Sequence, residues 1–218
     1  MKRVLFFLIS AISLFSCSRY DGTDYFSPSL SNVSGPLQQY MLCIPNDIVT
    51  GSLVELESAL RIDKEGTMGK YIYQSEGASL SNDGSVWTVL REGALKGATI
   101  SKVTGETAWV ISFDGKFDFN GCNYPTRFEL KATAADAATA EHRNWKVELN
   151  GTRTEDDGYV CKFTNIEAPV EYTAVESNGL SWNAFGYLRM DVLKNGAKVD
   201  ALIMEIRGGI TSISITHI

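Results

Sequence analysis

The sequence predicts a mainly β protein, built as an antiparallel sandwich or a barrel-like sheet with one short helix near the start of the domain. Asp-Gly and Asn-Gly dipeptides recur along the chain, and both favour the positive φ angles of tight hairpins. They stand at positions 21, 83, 114 and 157 (Asp-Gly) and at 120, 150, 178 and 195 (Asn-Gly). From residue 83 onward they alternate with short segments in which apolar and polar residues take turns, as in strands with one buried face.

The alternating segments also predict which residues form the core. In the segment 145–149, Trp145, Val147 and Leu149 share one face of a strand, while Lys146 and Glu148 share the other. The same reasoning places the side chains of Trp87 and Trp109 in the core. The end of the chain is typical of a meander of three strands, expected at 185–194, 197–206 and 210–217.

One helix is predicted near residues 52–62. Ser52 to Glu55 fits a capping box, and Leu53, Leu56 and Leu60 follow at helical spacing. A strand is the alternative, because Val54, Leu56, Leu60 and Ile62 also fit a period of two. We favour the helix.

A single β-rich domain is expected over residues 37–218, and a division into two subdomains near 134–143 is the alternative. The Ala-rich segment 132–141 lies at that boundary and is expected to form a long hairpin loop or one short helical turn. Both sandwiches and barrels consist of short alternating strands joined by turns, so the pattern does not choose between them.

The first residues are typical of an export signal. Lys2 and Arg3 precede an apolar run from 4 to 15, which is too short to span a bilayer core of about 30 Å as a helix. The run ends at Leu14-Phe15-Ser16-Cys17. This segment resembles the lipobox of bacterial lipoproteins.

The resemblance implies that residues 1–16 are removed as a signal peptide and that Cys17 carries the lipid. Two or three acyl chains anchor a protein stably, whereas one chain does so only marginally. Residues 17–36, rich in Ser, Asp, Gly, Pro and Asn, would form a flexible tether between the lipid and the domain. We therefore expect the protein in the cell envelope, at the outer membrane of a Gram-negative bacterium, with the membrane as a partner through the lipid.

Charge and cysteine content limit which partners and which disulfides we expect. The net charge of the chain is −6, and acids and bases are interspersed without a basic patch, which argues against nucleic acid as a partner. Beyond Cys17, three cysteines remain: Cys43, Cys122 and Cys161. A bridge between Cys43 and Cys122 is left open, and Cys161, between apolar and aromatic residues, is expected to be a buried free thiol.

The sequence gives no positive sign of catalysis. It has no Gly-x-Ser-x-Gly elbow and no phosphate-binding glycine motif, and its only histidines are His142 and His217. The acidic run from Glu155 to Asp157 is interpreted as a solvated hairpin tip, and Asp114, Asp118 and Asn120 are interpreted as flanking another turn. No metal or cofactor is expected, and a hydrolase with an unrecognised site is the remaining enzymatic alternative.

Aromatic residues provide the one residue-level hypothesis about binding. Trp182 and Tyr187 lie in a stretch rich in Gly and Asn, which is interpreted as a loop that presents a ligand contact. Exposed rings can stack on sugar rings, so a glycan-binding accessory lipoprotein is one expectation. The broader expectation is a non-enzymatic, lipid-anchored envelope protein with a binding or structural role and a glycan or protein partner.

Overall fold

The computed structural model of the protein describes residues 45, 47–60, 73–74, 77–119, 122–135, 144–155, 158–166, 168–176, 180–208 and 213–217. Cys17, the tether, Cys43 and His142 lie outside these ranges, so what was predicted for them stays a prediction. The described residues form a mainly antiparallel β structure with one helix packed against it. The predicted fold class is thereby confirmed, and the continuous sheet is compatible with a sandwich or a barrel-like arrangement.

Eleven strands are described, and their order in the sheet follows the chain. Neighbouring strands are antiparallel throughout, which makes the sheet a meander. The strands are β1 (Ala78–Leu80), β2 (Val86–Val89), β3 (Thr99–Lys102), β4 (Ala108–Phe119), β5 (Cys122–Ala134), β6 (Asn144–Thr154), β7 (Tyr159–Asn165), β8 (Val170–Glu176), β9 (Leu180–Lys194), β10 (Ala197–Gly208) and β11 (Ile213–His217).

β7 and β8 share one place in the sheet. Both run between β6 and β9, with β8 paired to the first part of each neighbour and β7 to the last part. They are therefore two pieces of one strand, interrupted at residues 166–169. At the interruption the side-chain amide of Asn165 replaces ladder bonds: it accepts from the Leu149 N–H at 2.5 Å and donates to the Val147 carbonyl at 2.9 Å.

The helix α1 is described over residues 47–60, and Pro45 and residues 73–74 also have helical backbone. It begins at least five residues before the predicted start, so the assignment of Ser52 as a cap is wrong: Ser52 lies inside the helix and is buried. Pro45 in the first turn is the start signal that sequence reasoning missed. The apolar side of α1 joins the core through Ile48, Val49, Leu53, Leu56 and Ala59.

The core lies on the inner face of the sheet, beneath α1. Trp87, Trp109 and Trp145 are all buried there, as predicted, and the rings of Trp109 and Trp145 meet edge to face with centroids 5.6 Å apart. Cys161 is buried and free, which confirms the prediction for that thiol. Burial raises the pKa of the Cys161 thiol well above its usual range, so it is chemically inert.

Two predicted turns are wrong. Asp114-Gly115 and Asn150-Gly151 lie inside β4 and β6, not between strands. Their glycines serve packing: a Cβ on Gly115 would lie 3.0 Å from the Phe113 ring, and a Cβ on Gly151 would lie 2.7 Å from Cβ of Phe128. A glycine in a strand interior often marks such a close approach.

By contrast, Asp83-Gly84 and Asn195-Gly196 are turns, as predicted. Gly84 and Gly196 adopt positive φ angles of 75° and 82°, and Asn195 has a φ of 51°. The last turn joins β9 to β10, and a bulge between Lys198 and Asp200 then shifts their register by one residue, so that Tyr187 lies opposite Glu205.

The predicted solvated tip at Glu155 is also corrected. Glu155 is buried and its carboxylate accepts a hydrogen bond of 2.6 Å from Nε of Arg153, which is itself fully buried. Arg153 also donates to the Phe117 carbonyl at 2.9 Å, and its guanidinium lies over the Tyr124 ring. The pair is buried because Arg153 occupies an inward position of β6, where its charge requires a partner.

Candidate functional site

Tyr187 lies on the outer face of the long strand β9, beside Phe185. The neighbouring Ala184 and Leu188 are buried, so strand alternation directs Phe185 and Tyr187 away from the core. Their exposed fractions are 54% and 45%, which are high for aromatic side chains. Two positions along one strand face are about 7 Å apart, so both side chains project from the same face of the sheet at neighbouring positions.

The ring of Tyr187 is held in place by the next strand. Tyr187 and Glu205 are direct cross-strand partners in β9 and β10, and the Tyr187 hydroxyl donates a 2.8 Å hydrogen bond to Oε1 of Glu205. Cross-strand pairs of this kind stabilise a sheet modestly. Here the bond also restricts the rotation of an exposed ring, so less conformational entropy is lost when a ligand binds.

Gly186, between the two aromatic residues, brings β9 close to the interruption of the neighbouring strand. It has a φ of 147°, and a Cβ at this position would lie 3.0 Å from Cα of Val170. The Ile166 N–H also donates to the Tyr187 carbonyl at 3.3 Å. The backbone beneath the aromatic pair is therefore fixed on the side of β7 and β8 as well as on the side of β10.

An ionic cluster follows on the same face. Asp191 accepts from Nε of Arg189 at 2.9 Å and lies 3.1 Å from Nζ of Lys198. Partial burial raises the pKa of Asp191, but the hydrogen bonds from Lys198 and Arg189 together outweigh it, so the pKa lies below its ordinary value. Asp191 is thus ionised at neutral pH, and the cluster carries both signs of charge.

Two rows of polar side chains extend from this region across the same face of the sheet, as far as β3 and β4. Because directly paired residues share a face, the strand registers define each row. The first row crosses six strands through Thr99, Ser112, Glu129, Asn150, Thr164 and Arg189. The second crosses five strands through Asp114, Arg127, Thr152, Lys162 and Asp191.

At their β3 to β6 end these rows line a groove of about 460 Å³. Its walls carry hydroxyl, amide, carboxylate and guanidinium groups, among them Ser112, Glu129, Asn150 and Arg127. Arg127 forms a loose, exposed ion pair with Asp114 at 3.7 Å, which contributes little stability and leaves both groups accessible to a ligand. We call the two rows and the aromatic pair together the outer binding face.

The structure corrects the loop that was predicted around Trp182. Residues 180–194 form one continuous strand, in which Trp182 pairs with Ala174 of β8. Positions 182 and 187 are five residues apart in this strand and so belong to opposite faces. The side chain of Trp182 lies outside the described residues, and its contact with a ligand stays untested.

Sequence reasoning missed Phe185 and Glu205. The signal for Phe185 was present, because Ala184, Phe185, Tyr187 and Leu188 fit an alternating strand, but the glycine and asparagine residues around them favoured a loop. The pairing of Glu205 with Tyr187 depends on the hairpin at Asn195-Gly196 together with the bulge between Lys198 and Asp200, which shifts the register by one residue.

The described segments offer little for catalysis or metal binding. In them, no three His, Cys, Asp or Glu side chains are close enough to hold a metal ion. No helix among the described residues is long and apolar enough to cross a membrane. His142 lies outside the described residues, and only the backbone of His217 is described.

No known protein guides the interpretation of this site: no family model, no curated protein and no solved structure matches the chain.

Proposed function

We propose that this protein is a lipid-anchored, non-enzymatic binding protein of the bacterial cell envelope, which holds a glycan on its outer binding face. The observation that carries the proposal is the pair of exposed aromatic side chains, Phe185 and Tyr187, on one face of the continuous strand β9. Anchoring rests on the lipobox resemblance at Cys17, and the outer membrane of a Gram-negative bacterium is the proposed location.

The chemistry of the face fits a carbohydrate better than a strongly charged ligand. An aromatic ring offers a flat apolar surface to the C–H groups of a sugar ring, and the ring plane of Tyr187 is restricted by Glu205. Sugar hydroxyls need several donors and acceptors, which the hydroxyl, amide, carboxylate and guanidinium groups of the polar rows provide. The six charged groups of these rows, three acids and three bases, cancel one another.

The two aromatic side chains are also of the kind that contributes most to the free energy of binding. Aromatic residues dominate many interfaces because they bury a large area and lose few rotamers. Phe185 and Tyr187 are both paired with β10, and on the other side Phe185 pairs with Glu171 of β8 while the Tyr187 carbonyl accepts from the Ile166 N–H.

A titration of the purified protein with a panel of soluble oligosaccharides tests the proposal. We expect at least one neutral oligosaccharide to bind, and we expect Tyr187→Ala to weaken that binding at least tenfold. Tyr187→Phe should retain most of the affinity, because the stacking surface remains. Val199→Ala is the matched control, since Val199 is another exposed apolar residue, on β10, but has no ring.

The proposal is wrong if no oligosaccharide binds. It is also wrong if binding occurs but is lowered equally by Tyr187→Ala and by Val199→Ala. Thermal melts of each variant separate a loss of binding from a loss of folding.

A further inference from the structure

A second site lies on the opposite side of the sheet from the outer binding face. It is a cavity of about 350 Å³ between α1 and the segment 90–98 that connects β2 to β3. We call it the helix cavity. Its volume falls in the lower part of the range of about 300–1,000 Å³ that is usual for small-molecule sites.

The walls of the helix cavity are largely apolar. Val89, Leu95 and Phe117 form its buried side, and Val54, with an exposed fraction of 40%, lies where the cavity meets solvent. Gly51 of α1 leaves room inside, since a Cβ at that position would be 3.4 Å from the Leu95 side chain. An apolar ligand group the size of a small ring can be buried here.

The basic groups of the cavity are already neutralised. Arg91 makes a two-point ion pair with Glu55, through Nε at 3.1 Å and Nη2 at 2.5 Å, and the Tyr73 hydroxyl donates to the same carboxylate at 3.2 Å. Lys96 pairs with Glu92 at 2.5 Å. An anionic ligand would therefore have to break an existing pair.

Asp47 is in a different situation. In the segments that the structure describes, no hydrogen bond or ion pair reaches its carboxylate, although the residue is half-buried. Burial raises the pKa of Asp47 to about 6, so at neutral pH it is mostly an ionised group in apolar surroundings. Asp118 adds a second acid to the lining, which leaves the cavity negative overall.

We propose that the helix cavity binds a small organic cation: an apolar group in contact with Leu95 and Phe117, and a protonated amine paired with Asp47. A cationic donor supplies the partner that the carboxylate lacks, and charge-assisted hydrogen bonds of this kind are about twice as strong as neutral ones. The site uses the inner side of the sheet and is independent of the glycan proposal.

Calorimetric titration with three probes of one shape tests this inference. Benzylamine carries the ring and the cation, benzyl alcohol carries the ring alone, and benzoate carries the ring and an anion. At about pH 8 Asp47 is ionised and a primary amine is largely protonated. We expect saturable binding of benzylamine, at least tenfold weaker binding of benzyl alcohol, and no binding of benzoate.

Two variants locate the site. Asp47→Asn should weaken benzylamine binding at least tenfold, whereas Asp114→Asn, which alters an exposed acid on the outer face, should leave it unchanged. Gly51→Leu should fill the cavity and abolish the binding of both benzylamine and benzyl alcohol. Circular dichroism checks that each variant is folded.

The inference is overturned if benzylamine does not bind, if benzoate binds as well as benzylamine, or if Asp47→Asn binds benzylamine like the unmodified chain. None of these outcomes bears on the glycan proposal, which the oligosaccharide titration tests through the variants of Tyr187.

Discussion

Nε1 of Trp145 donates a 2.9 Å hydrogen bond to Oε1 of Glu57, and this bond joins α1 to the middle of the sheet. The two residues are 88 positions apart in the chain. Trp145 is fully buried in β6, so its indole N–H requires a partner inside the protein, and the half-buried Glu57 on α1 provides one. The helix is therefore fixed against the sheet by a polar contact as well as by apolar packing.

Removing the Trp145 ring should destabilise the fold strongly. Trp145→Ala leaves a large cavity and removes the hydrogen bond to Glu57, and we expect a loss of about 3–5 kcal/mol in the free energy of unfolding. Glu148, on the outward face of the same strand, is the control: Glu148→Ala should change stability by less than about 0.5 kcal/mol. Urea denaturation measures both, and equal losses would contradict the assigned faces of β6.

Substitution by alanine should lower the stability of the fold at Gly151, inside β6, and raise it at Gly51, inside α1. Gly151→Ala places a Cβ 2.7 Å from Cβ of Phe128 and 3.0 Å from the Arg127 carbonyl, so we expect a loss of about 1–3 kcal/mol. Gly51→Ala, in the interior of α1, meets only an ordinary contact with Leu95 and should gain about 0.5–1 kcal/mol.

Thermal melts of the two variants provide the comparison. If Gly151→Ala is neutral, the backbone at that point of β6 can move away from β5, and the packing reason given for this glycine is wrong.

The sequence predicted what depends on local pattern. Trp87, Trp109 and Trp145 are buried because each stands on the apolar phase of a short strand, and alternation alone reveals that phase. Asn195-Gly196 forms a hairpin because both residues tolerate positive φ.

Sequence reasoning failed where contacts distant in the chain decide the outcome. Asn150-Gly151 has the composition of a turn, yet Phe128 and Phe163 from neighbouring strands select glycine there for lack of space. Glu155 begins an acidic run that is typical of a solvated hairpin tip, yet the buried Arg153 pairs with it inside the protein. The helix cavity is lined by Asp47, Arg91 and Phe117, which come from three separate segments of the chain. No local sequence pattern could therefore have predicted it.

Lipidation of Cys17 is the prediction on which the proposed location depends. In a Gram-negative host fed a fatty-acid analogue, the unmodified chain should take up the label and be recovered with the membranes. Cys17→Ala should take up no label and be released from them, because the only proposed acyl acceptor is gone. Ser18→Ala is the matched control and should behave like the unmodified chain.

The lipoprotein assignment is wrong if the unmodified chain takes no label and Cys17→Ala still stays with the membranes. That outcome would remove the proposed anchor and location without affecting the glycan titration.

Asp47 should make the stability of the fold depend on pH. Burial raises the pKa of Asp47 to about 6 from 3.8, so the folded protein binds this proton more tightly than the unfolded chain does. The contribution is therefore fully present below the unfolded pKa and is lost as the pH rises through the folded pKa. Between about pH 4 and pH 6 we expect the melting temperature to fall as the pH rises.

Asp47→Asn should flatten this dependence, because asparagine does not titrate, and should be more stable than the unmodified chain at pH 7 since no charge is buried. Other titrating groups are near the carboxylate, namely Glu55, Arg91, Glu92, Lys96, Asp118 and Tyr172. Both proteins contain these groups, so the difference in slope between them reports Asp47. If Asp47→Asn retains the full slope of the unmodified chain, another group titrates there and the Asp47 carboxylate is better solvated than the helix cavity implies.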